Sequence, residues 1–228
     1  KAIKILETDH IDLIIEMLSI GDVDTFALAG QLKAKHPNIP IVVLTHFSRE
    51  VSLKLENEDL SSIDYVFCWL GNSDLLLAII KLIEDRMNAD FDINEVGVQA
   101  ILLVEDSIRY ISAFLPVLYK VVLEQTMEFM QEALNEHQKM LRRRGRPKVI
   151  LAQNYAAAVE IYRKYNSSIM GIISDVSYKM TPNRKDSKVL AGIELCKLVK
   201  SEDRNIPFLL QSSDQSNEQY ANQYGTGF

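Results

Sequence analysis

The chain has little cysteine, a single tryptophan and no long apolar run. Its 228 residues include 2 cysteines, Cys68 and Cys196, which stand far apart and fit no zinc-ligand spacing. We therefore expect free thiols in a reducing compartment, the cytoplasm. No apolar run reaches the roughly 18 residues that a membrane-spanning helix needs, and nothing resembles a signal peptide. These absences argue against a disulfide scaffold and against a membrane protein.

An excess of basic residues is also missing. Lys and Arg number 25 against 31 Asp and Glu, which gives a formal net charge of −6. A nucleic-acid-binding surface needs a basic face, so we expect no nucleic-acid partner. The composition, 47% hydrophobic and 25% charged, is typical of a folded globular protein. Because the chain opens at Lys1 and stops at what looks like the start of a strand, we expect a piece of a longer protein.

Strands and helices alternate along the first half of the chain. Apolar runs predict buried strands at Leu13–Leu18, Ile41–Leu44 and Asp64–Trp69, and Ser73 is a candidate cap for a helix that ends near Met87. Strands separated by helices of this length are typical of βαβ units and a parallel sheet. The sequence therefore predicts the α/β class.

The second half repeats this order after an aperiodic segment. Residues 88–97 are polar and acidic, which predicts an interdomain linker between a domain at 1–87 and another at 98–228. The first helix of the second domain is predicted to be greatly extended, from 107 to 141. Pro116 inside it predicts a kink or a division into two helices.

The two halves contain a weak internal repeat. Two pairs of segments align, 14–18 with 172–176 and 39–45 with 206–212. In this alignment Met17 stands where the second half has Asp175. One copy therefore lacks an acidic residue that the other has.

Three predicted strands of the second half end in residues that carry chemistry. The first is followed by Glu105 and Asp106, the second ends at Asp175, and the third is followed by Ser212. Because the carboxyl ends of parallel strands meet at one edge of a sheet, we expect these side chains to converge. Three close carboxylates repel one another unless a cation holds them, which indicates a hard divalent metal such as Mg²⁺. One carboxylate can also act as a nucleophile toward phosphorus.

Two other interpretations of the acidic residues remain open. Glu105 and Asp106 could simply cap the next helix, with Asp175 in an ordinary turn. A phosphatase or mutase of the haloacid dehalogenase type also uses a nucleophilic aspartate, but it needs a second acid two residues later, where this chain has Ser177.

In their order along the chain, these residues resemble the receiver domain of two-component response regulators. The resemblance covers residues 98–228. It implies a flavodoxin-like, doubly wound parallel sheet and phosphorylation of Asp175. It also implies Mg²⁺ held by Asp106, Asp175 and the backbone carbonyl of Ser177, with Glu105 acting through water. Ser212 would bind the new phosphoryl oxygen and reorient as the switch. The lysine that the family carries at the end of its fifth strand would lie beyond the last residue.

The first half resembles a degenerate copy of the same domain. Met17 replaces the phosphoacceptor and Cys68 falls at the expected lysine, so we expect a chemically silent pseudo-receiver. The extended helix and the segments 146–148, 173–176 and 209–214 also resemble a receiver-like module found ahead of phosphoenolpyruvate synthase or pyruvate phosphate dikinase type domains.

The resemblance implies a signalling function rather than an enzyme, beyond self-phosphorylation and self-dephosphorylation. The phosphodonor would be a sensor histidine kinase or a small phosphodonor, and phosphorylation would switch a surface for a partner or an attached output domain. An alternative is a pseudo-receiver scaffold that is never phosphorylated. It would dimerise through the long helix 107–141 or dock an attached phosphotransferase enzyme.

Overall fold

The computed structural model divides the chain into two compact units. It describes residues 5–6, 8–18, 24–46, 58–131, 135, 145–183 and 187–228. The first unit comprises Lys1–Ile83 and Ile108–Pro116, and the second comprises Glu84–Ser107 and Val117–Phe228. The division into domains at 1–87 and 98–228 remains a prediction.

The first unit contains a three-stranded parallel sheet. Its elements are β1 (Ile14–Met17), α1 (Thr25–Lys35), β2 (Ile41–Thr45) and β3 (Tyr65–Cys68). The strand order is β1-β2-β3, with every pair parallel. Strand β2 is buried along its whole length, as its run of β-branched and apolar residues predicts. The three predicted strands are confirmed to within one residue at each end.

Two long helices follow, α2 (Asp74–Asn94) and α3 (Ile108–Gln131), and residues of each fall in both units. Helix α3 continues through Pro116, so the division into two helices predicted there is not found. The predicted extension of α3 toward residue 141 lies mostly outside the described residues.

The second unit contains a four-stranded parallel sheet. Its further elements are β4 (Ala100–Val104), β5 (Lys148–Ala152), α4 (Tyr155–Tyr165), β6 (Ile169–Asp175), α5 (Ala191–Glu202), β7 (Phe208–Gln211) and α6 (Glu218–Tyr224). The strand order is β5-β4-β6-β7. The first strand of the unit, β4, therefore lies between the second, β5, and the third, β6, and the fourth, β7, lies at the edge beside β6. This order is compatible with a flavodoxin-like sheet. The predicted α/β class with parallel sheets is confirmed.

The core of the second unit lies against the central strands β4 and β6. Leu102, Val104 and Ile172 point into it with at most 1% of their surface exposed, and Leu195 of α5 packs in the same cluster. These side chains hold the carboxyl ends of β4 and β6 in a fixed position, at which the candidate site is found.

The helix end predicted near Met87 is wrong, because α2 continues to Asn94 and takes in most of the predicted linker 88–97. Ala89 and Ile93 of the added turns are buried, at 4% and 3% exposure, in the core of the second unit. The acidic residues that suggested a solvated linker are instead paired, since Asp92 accepts an ion pair from Lys148 at 2.6 Å.

Asp85, in the part of α2 that precedes the predicted linker, is the centre of a buried polar network in the second unit. Its side chain is fully buried, and it forms an ion pair with Arg146. It also accepts hydrogen bonds from Tyr119 Oη at 2.8 Å and from the Val149 amide at 2.9 Å. The network joins α2, α3 and the start of β5. A buried carboxylate is tolerated only when it is paired and hydrogen-bonded in this way.

The strand registers confirm the internal repeat. Met17 of β1 pairs with Leu44 of β2, and Asp175 of β6 pairs with Gln211 of β7, which are the positions that the sequence alignment equates. The same correspondence extends to backbone hydrogen bonds just beyond these strand ends. The Leu18 amide donates to the Leu44 carbonyl at 2.9 Å, and the Val176 amide donates to the Gln211 carbonyl at 3.0 Å.

A lysine closes the following helix in the same way in each copy. Lys33 Nζ donates to the carbonyl of Ile39 at 2.9 Å, and Lys200 Nζ donates to the carbonyl of Ile206 at 2.7 Å. Both lysines lie in the last turn of their helix, where a cation also interacts favourably with the helix dipole. The repeat is therefore structural as well as sequential.

Among the described residues, no helix combines the length and the apolar character needed to cross a membrane.

The Asp85 network makes a prediction about stability. Replacing Asp85 with Ala leaves Arg146 buried and unpaired, so we expect the free energy of unfolding to fall by about 3–5 kcal/mol. Denaturant unfolding measures this loss. The matched control is Glu194→Gln, which breaks the exposed ion pair to Lys197 and should leave stability nearly unchanged. Equal losses of unfolding free energy for the two substitutions would contradict the stabilising role of the buried Asp85 network.

Candidate metal centre

The strand registers place the acidic residues at one edge of the second sheet. The last pair between β4 and β6 joins Val104 to Ser174, so Glu105 and Asp175 follow at equivalent positions. The Glu105 amide donates to the Ala152 carbonyl at 3.0 Å, which holds the end of β4 against β5. Parallel pairing alone therefore brings these two carboxylates side by side.

Glu105, Asp106 and Asp175 form one cluster. One carboxylate oxygen from each lies within 4.8 Å of the others. No other group of three or more potential metal ligands occurs in the part of the chain that the structure describes. The predicted convergence of the three side chains is confirmed.

Glu105 is the most buried member of the cluster, with 7% of its surface exposed. Burial raises the pKa of its carboxyl to about 7, and the neighbouring charges of Asp175 and Asp106 add to the rise. Its Oε1 accepts a hydrogen bond from the Ser107 amide at 2.9 Å. Glu105 thus takes part in the cap of the next helix, one of the alternatives left open by the sequence, while remaining in the cluster.

Asp175 is half-buried at the end of β6. Its Oδ1 accepts a hydrogen bond from the Val176 amide at 2.7 Å, and the Ser177 amide also donates to this carboxylate. Burial raises the pKa of Asp175, and the two amides act in the opposite direction. The amides fix the orientation of the carboxylate at the strand end.

A lysine that the sequence interpretation missed contacts the cluster. Lys188, in the segment between β6 and α5, places Nζ 2.6 Å from Asp106 Oδ1. Nothing local in the sequence marks this residue, because the contact joins positions far apart in the chain.

The two serines of the predicted site lie at the same edge of the sheet. Ser177 follows Asp175 by two residues and donates its amide to that carboxylate, whereas its carbonyl as a metal ligand stays a prediction. Ser212 directly follows β7, the strand beside β6. Its Oγ accepts hydrogen bonds from the Asp214 amide at 3.1 Å and from Asn217 Nδ2 at 2.8 Å.

Gly192 is a second contributor that the sequence interpretation missed. A Cβ added at this position would lie 2.1 Å from the Asp175 carbonyl oxygen and 3.0 Å from Val176 Cα. The Gly192 amide donates to the Val176 carbonyl at 3.0 Å. Only glycine allows the first turn of α5 to approach the end of β6 so closely.

Among the described residues, the corresponding edge of the first unit has no such acidic cluster. Met17 is the last residue of β1 and is 37% exposed, which confirms its predicted position at a strand end. Thr45 and Cys68 end the neighbouring strands, pair with each other in register and are buried. The preceding residue, Glu16, has both oxygens buried and without a hydrogen-bond partner among the described residues. These residues do not reproduce the arrangement of the second unit.

The donor set of the cluster fits a hard divalent cation. Carboxylate oxygens are the ligands that Mg²⁺ prefers, and Mg²⁺ commonly uses one or two of them together with water and phosphate oxygens. The pKa of Glu105 is raised mainly by burial, and the charges of Asp175 and Asp106 add an electrostatic cost to ionising it. A cation bound here would offset that cost.

A scan against protein-family models and a search of curated proteins both returned no match to this chain.

The pKa of Glu105 predicts how stability depends on pH. Because the folded pKa of Glu105 lies near 7, above the ordinary value of 4.5, the unfolded chain loses this proton at a lower pH. The free energy of unfolding should therefore fall as pH rises from about 4.5 to 7 and then level off. One pKa unit corresponds to about 1.4 kcal/mol, so this carboxyl should account for a loss of about 3 kcal/mol.

The matched comparison is Glu105→Gln, since the amide keeps the shape but does not titrate. The difference in unfolding free energy between wild type and this variant, measured without divalent metal, should change across that window. A difference that stays constant from pH 4 to 8 would contradict the raised pKa.

The close approach of Gly192 to the end of β6 predicts how a larger residue at this position would affect stability and the position of Asp175. Gly192→Ala forces α5 away from β6, so we expect a loss of about 1–3 kcal/mol in unfolding free energy together with displaced backbone NMR signals at Asp175. Gly171→Ala in the same strand is the control, because its added Cβ would lie 3.6 Å from the nearest atom, an ordinary contact. If the two substitutions perturb the Asp175 signals equally, the close contact at Gly192 does not position the site.

Proposed function

We propose that the second unit is a phosphorylation-dependent receiver that accepts a phosphoryl group on Asp175 with the help of Mg²⁺. The observation that carries this proposal is the convergence of Glu105, Asp106 and Asp175 at the carboxyl edge of a parallel sheet. The resemblance to response-regulator receivers supplies the reaction, and the strand order is compatible with the sheet of that family. Two-component signal transduction is therefore the function that the site supports best.

In this proposal each member of the cluster has a separate role. Asp106 and Asp175 would hold the Mg²⁺ directly, the Ser177 carbonyl would complete the protein ligands, and Glu105 would act through water. The bound ion would supply positive charge to the phosphoryl oxygens in the transition state. The Val176 amide donates to Oδ1 of Asp175 and the Ser177 amide also donates to this carboxylate, so its orientation is fixed before one of its oxygens would attack.

The chemical step is transfer of a phosphoryl group to a carboxylate. An oxygen of Asp175 attacks phosphorus, a new P–O bond forms, and the bond from phosphorus to the donor breaks. With acetyl phosphate the leaving group is acetate, which departs with the bonding electron pair. With a phosphohistidine of a sensor kinase the P–N bond breaks and the imidazole departs.

Ser212 is the proposed sensor of the phosphoryl group. Both of its hydrogen bonds use Oγ as the acceptor, so the hydroxyl proton is available to donate. Donation to a phosphoryl oxygen on Asp175 would draw Ser212 toward β6. The loop that begins with Ser212 and leads to Asn217 would move with it, which gives a surface whose shape depends on phosphorylation.

The proposal also covers partners and compartment. The phosphodonor would be a sensor histidine kinase or a small acyl phosphate, and the chain would act in the cytoplasm. An attached output domain, such as a phosphoenolpyruvate synthase type enzyme, is proposed from the resemblance alone. The first unit would serve as a pseudo-receiver without chemistry of its own.

The alternative function, a scaffold that is not phosphorylated, is favoured by one observation. Helices α2 and α3 expose large apolar side chains that are about half accessible, namely Leu77, Ile80, Met87, Phe91, Tyr110, Val117 and Val121. A contiguous patch of such side chains would mark a docking or dimerisation surface. The same phosphorylation experiment separates the two functions.

Incubation with acetyl phosphate and millimolar Mg²⁺ should add one phosphoryl group, measured by intact mass spectrometry. Asp175→Asn should abolish the addition, since the amide is not a nucleophile. Asp90→Asn is the matched control, because Asp90 forms an exposed ion pair with Lys164, and it should be labelled like wild type. The scaffold function would be favoured by two results together. The wild-type protein would stay unlabelled, and a measurement of its mass in solution would show a dimer.

A further inference from the structure

Lys188 is the cation that accompanies the acidic cluster. Its Nζ lies 2.6 Å from Asp106 Oδ1, and its positive charge also acts on Glu105 and Asp175. The Asp106 side chain is only 10% exposed, whereas the Lys188 side chain is 50% exposed. The ammonium group therefore approaches a nearly buried carboxylate from the solvent side.

The backbone that carries Lys188 is held beside the end of β6. The next residue, Val189, exchanges two backbone hydrogen bonds with Tyr178, at 3.1 and 3.2 Å. Tyr178 is fully buried, and it follows Asp175 by three residues. The main chain at Lys188 is thus anchored close to Asp175, while the long, half-exposed side chain can change its partner.

A divalent cation and the Lys188 ammonium cannot share the same Asp106 oxygen. A Mg²⁺ ion would lie about 2.1 Å from a ligating oxygen. An ammonium nitrogen 2.6 Å from that oxygen would then lie within a few ångströms of the ion. Two positive charges at that separation repel strongly where the protein lowers the dielectric constant.

We propose that Lys188 is the resident counter-ion of the cluster, that a divalent cation displaces it from Asp106, and that the released ammonium then binds the phosphoryl group on Asp175. This inference rests on the proposed function. The ammonium is a compact charge with three donors, which suits the oxygens of a phosphoryl group. Lys188 would neutralise phosphoryl charge from the segment after β6, not from the end of a fifth strand.

The displacement is tested by titrating the full chain with MgCl₂ alone in a calorimeter. Lys188→Met should bind Mg²⁺ about tenfold more tightly than wild type, because one nearby competing charge is gone. Lys188→Arg should not bind more tightly, since it keeps the charge. Lys197→Met is the matched control, because that lysine pairs with Glu194 on the exposed face of α5, and its affinity should equal that of wild type.

An unchanged or weaker Mg²⁺ affinity in Lys188→Met would overturn the displacement. Thermal unfolding without metal should give nearly the same midpoint for wild type, Lys188→Met and Lys188→Gln, which shows that the affinities compare folded proteins. Lys188→Gln should reproduce the tighter binding of the methionine variant. A disagreement between these two neutral variants would also count against the proposal.

The phosphoryl contact is tested by the rate of labelling with acetyl phosphate at saturating Mg²⁺ for each variant. Lys188→Met should be labelled about ten- to a hundredfold more slowly than wild type despite its tighter metal binding, because a charge that stabilises the transition state is missing. The labelling rate of Lys188→Arg should lie between those of wild type and Lys188→Met. Equal rates for wild type and Lys188→Met would overturn this contact.

The two proposals fail in distinguishable ways. A wild type that is not labelled at saturating Mg²⁺ would refute both the receiver function and the transfer of Lys188 to a phosphoryl group. The calorimetric titration would then still decide the displacement from Asp106. A labelled wild type with an equally labelled Lys188→Met would refute only the role given to Lys188.

Discussion

The parallel pairing of β4 with β6 is the constraint on which the candidate site depends. Its register ends with Val104 opposite Ser174, so the next residue of each strand is a carboxylate. Two buried apolar strands determine this register, since a slip by one residue would turn every core side chain to the wrong face. The hydrophobic core therefore sets the distance between Glu105 and Asp175 before any metal or phosphoryl chemistry begins.

Among the described residues, backbone amides and the ammonium group of Lys188 offset the charge of the cluster. Backbone amides hold Asp175 and Glu105, whereas Lys188 holds Asp106. The internal repeat shows that this strand register does not require acidic residues at the strand ends. The first unit keeps the same strand register with Met17 at the corresponding strand end. The fold thus sets the position of the strand ends in both units, and among the described residues only the second unit carries the acidic cluster.

The sequence predicted what depends on local pattern and missed what depends on distant partners. Strand ends were predictable because apolar runs stop where polar residues begin, and this was sufficient to locate the acidic cluster. The continuation of α2 beyond Met87 was not predictable, because Asp92 suggests a solvated segment until Lys148 is placed beside it. The roles of Lys188 and Gly192 were also missed, since each depends on a tertiary approach that leaves no spacing signal.

The central claim is that the three carboxylates share one divalent ion. Crystals of the full chain grown with Mn²⁺, which takes similar oxygen ligands, would test it directly by anomalous diffraction. The account predicts a peak in contact with oxygens of Asp106 and Asp175, close to Glu105, with the Lys188 ammonium moved away from Asp106. A peak at another place in the molecule, or no peak at a concentration of metal that supports labelling, would contradict it.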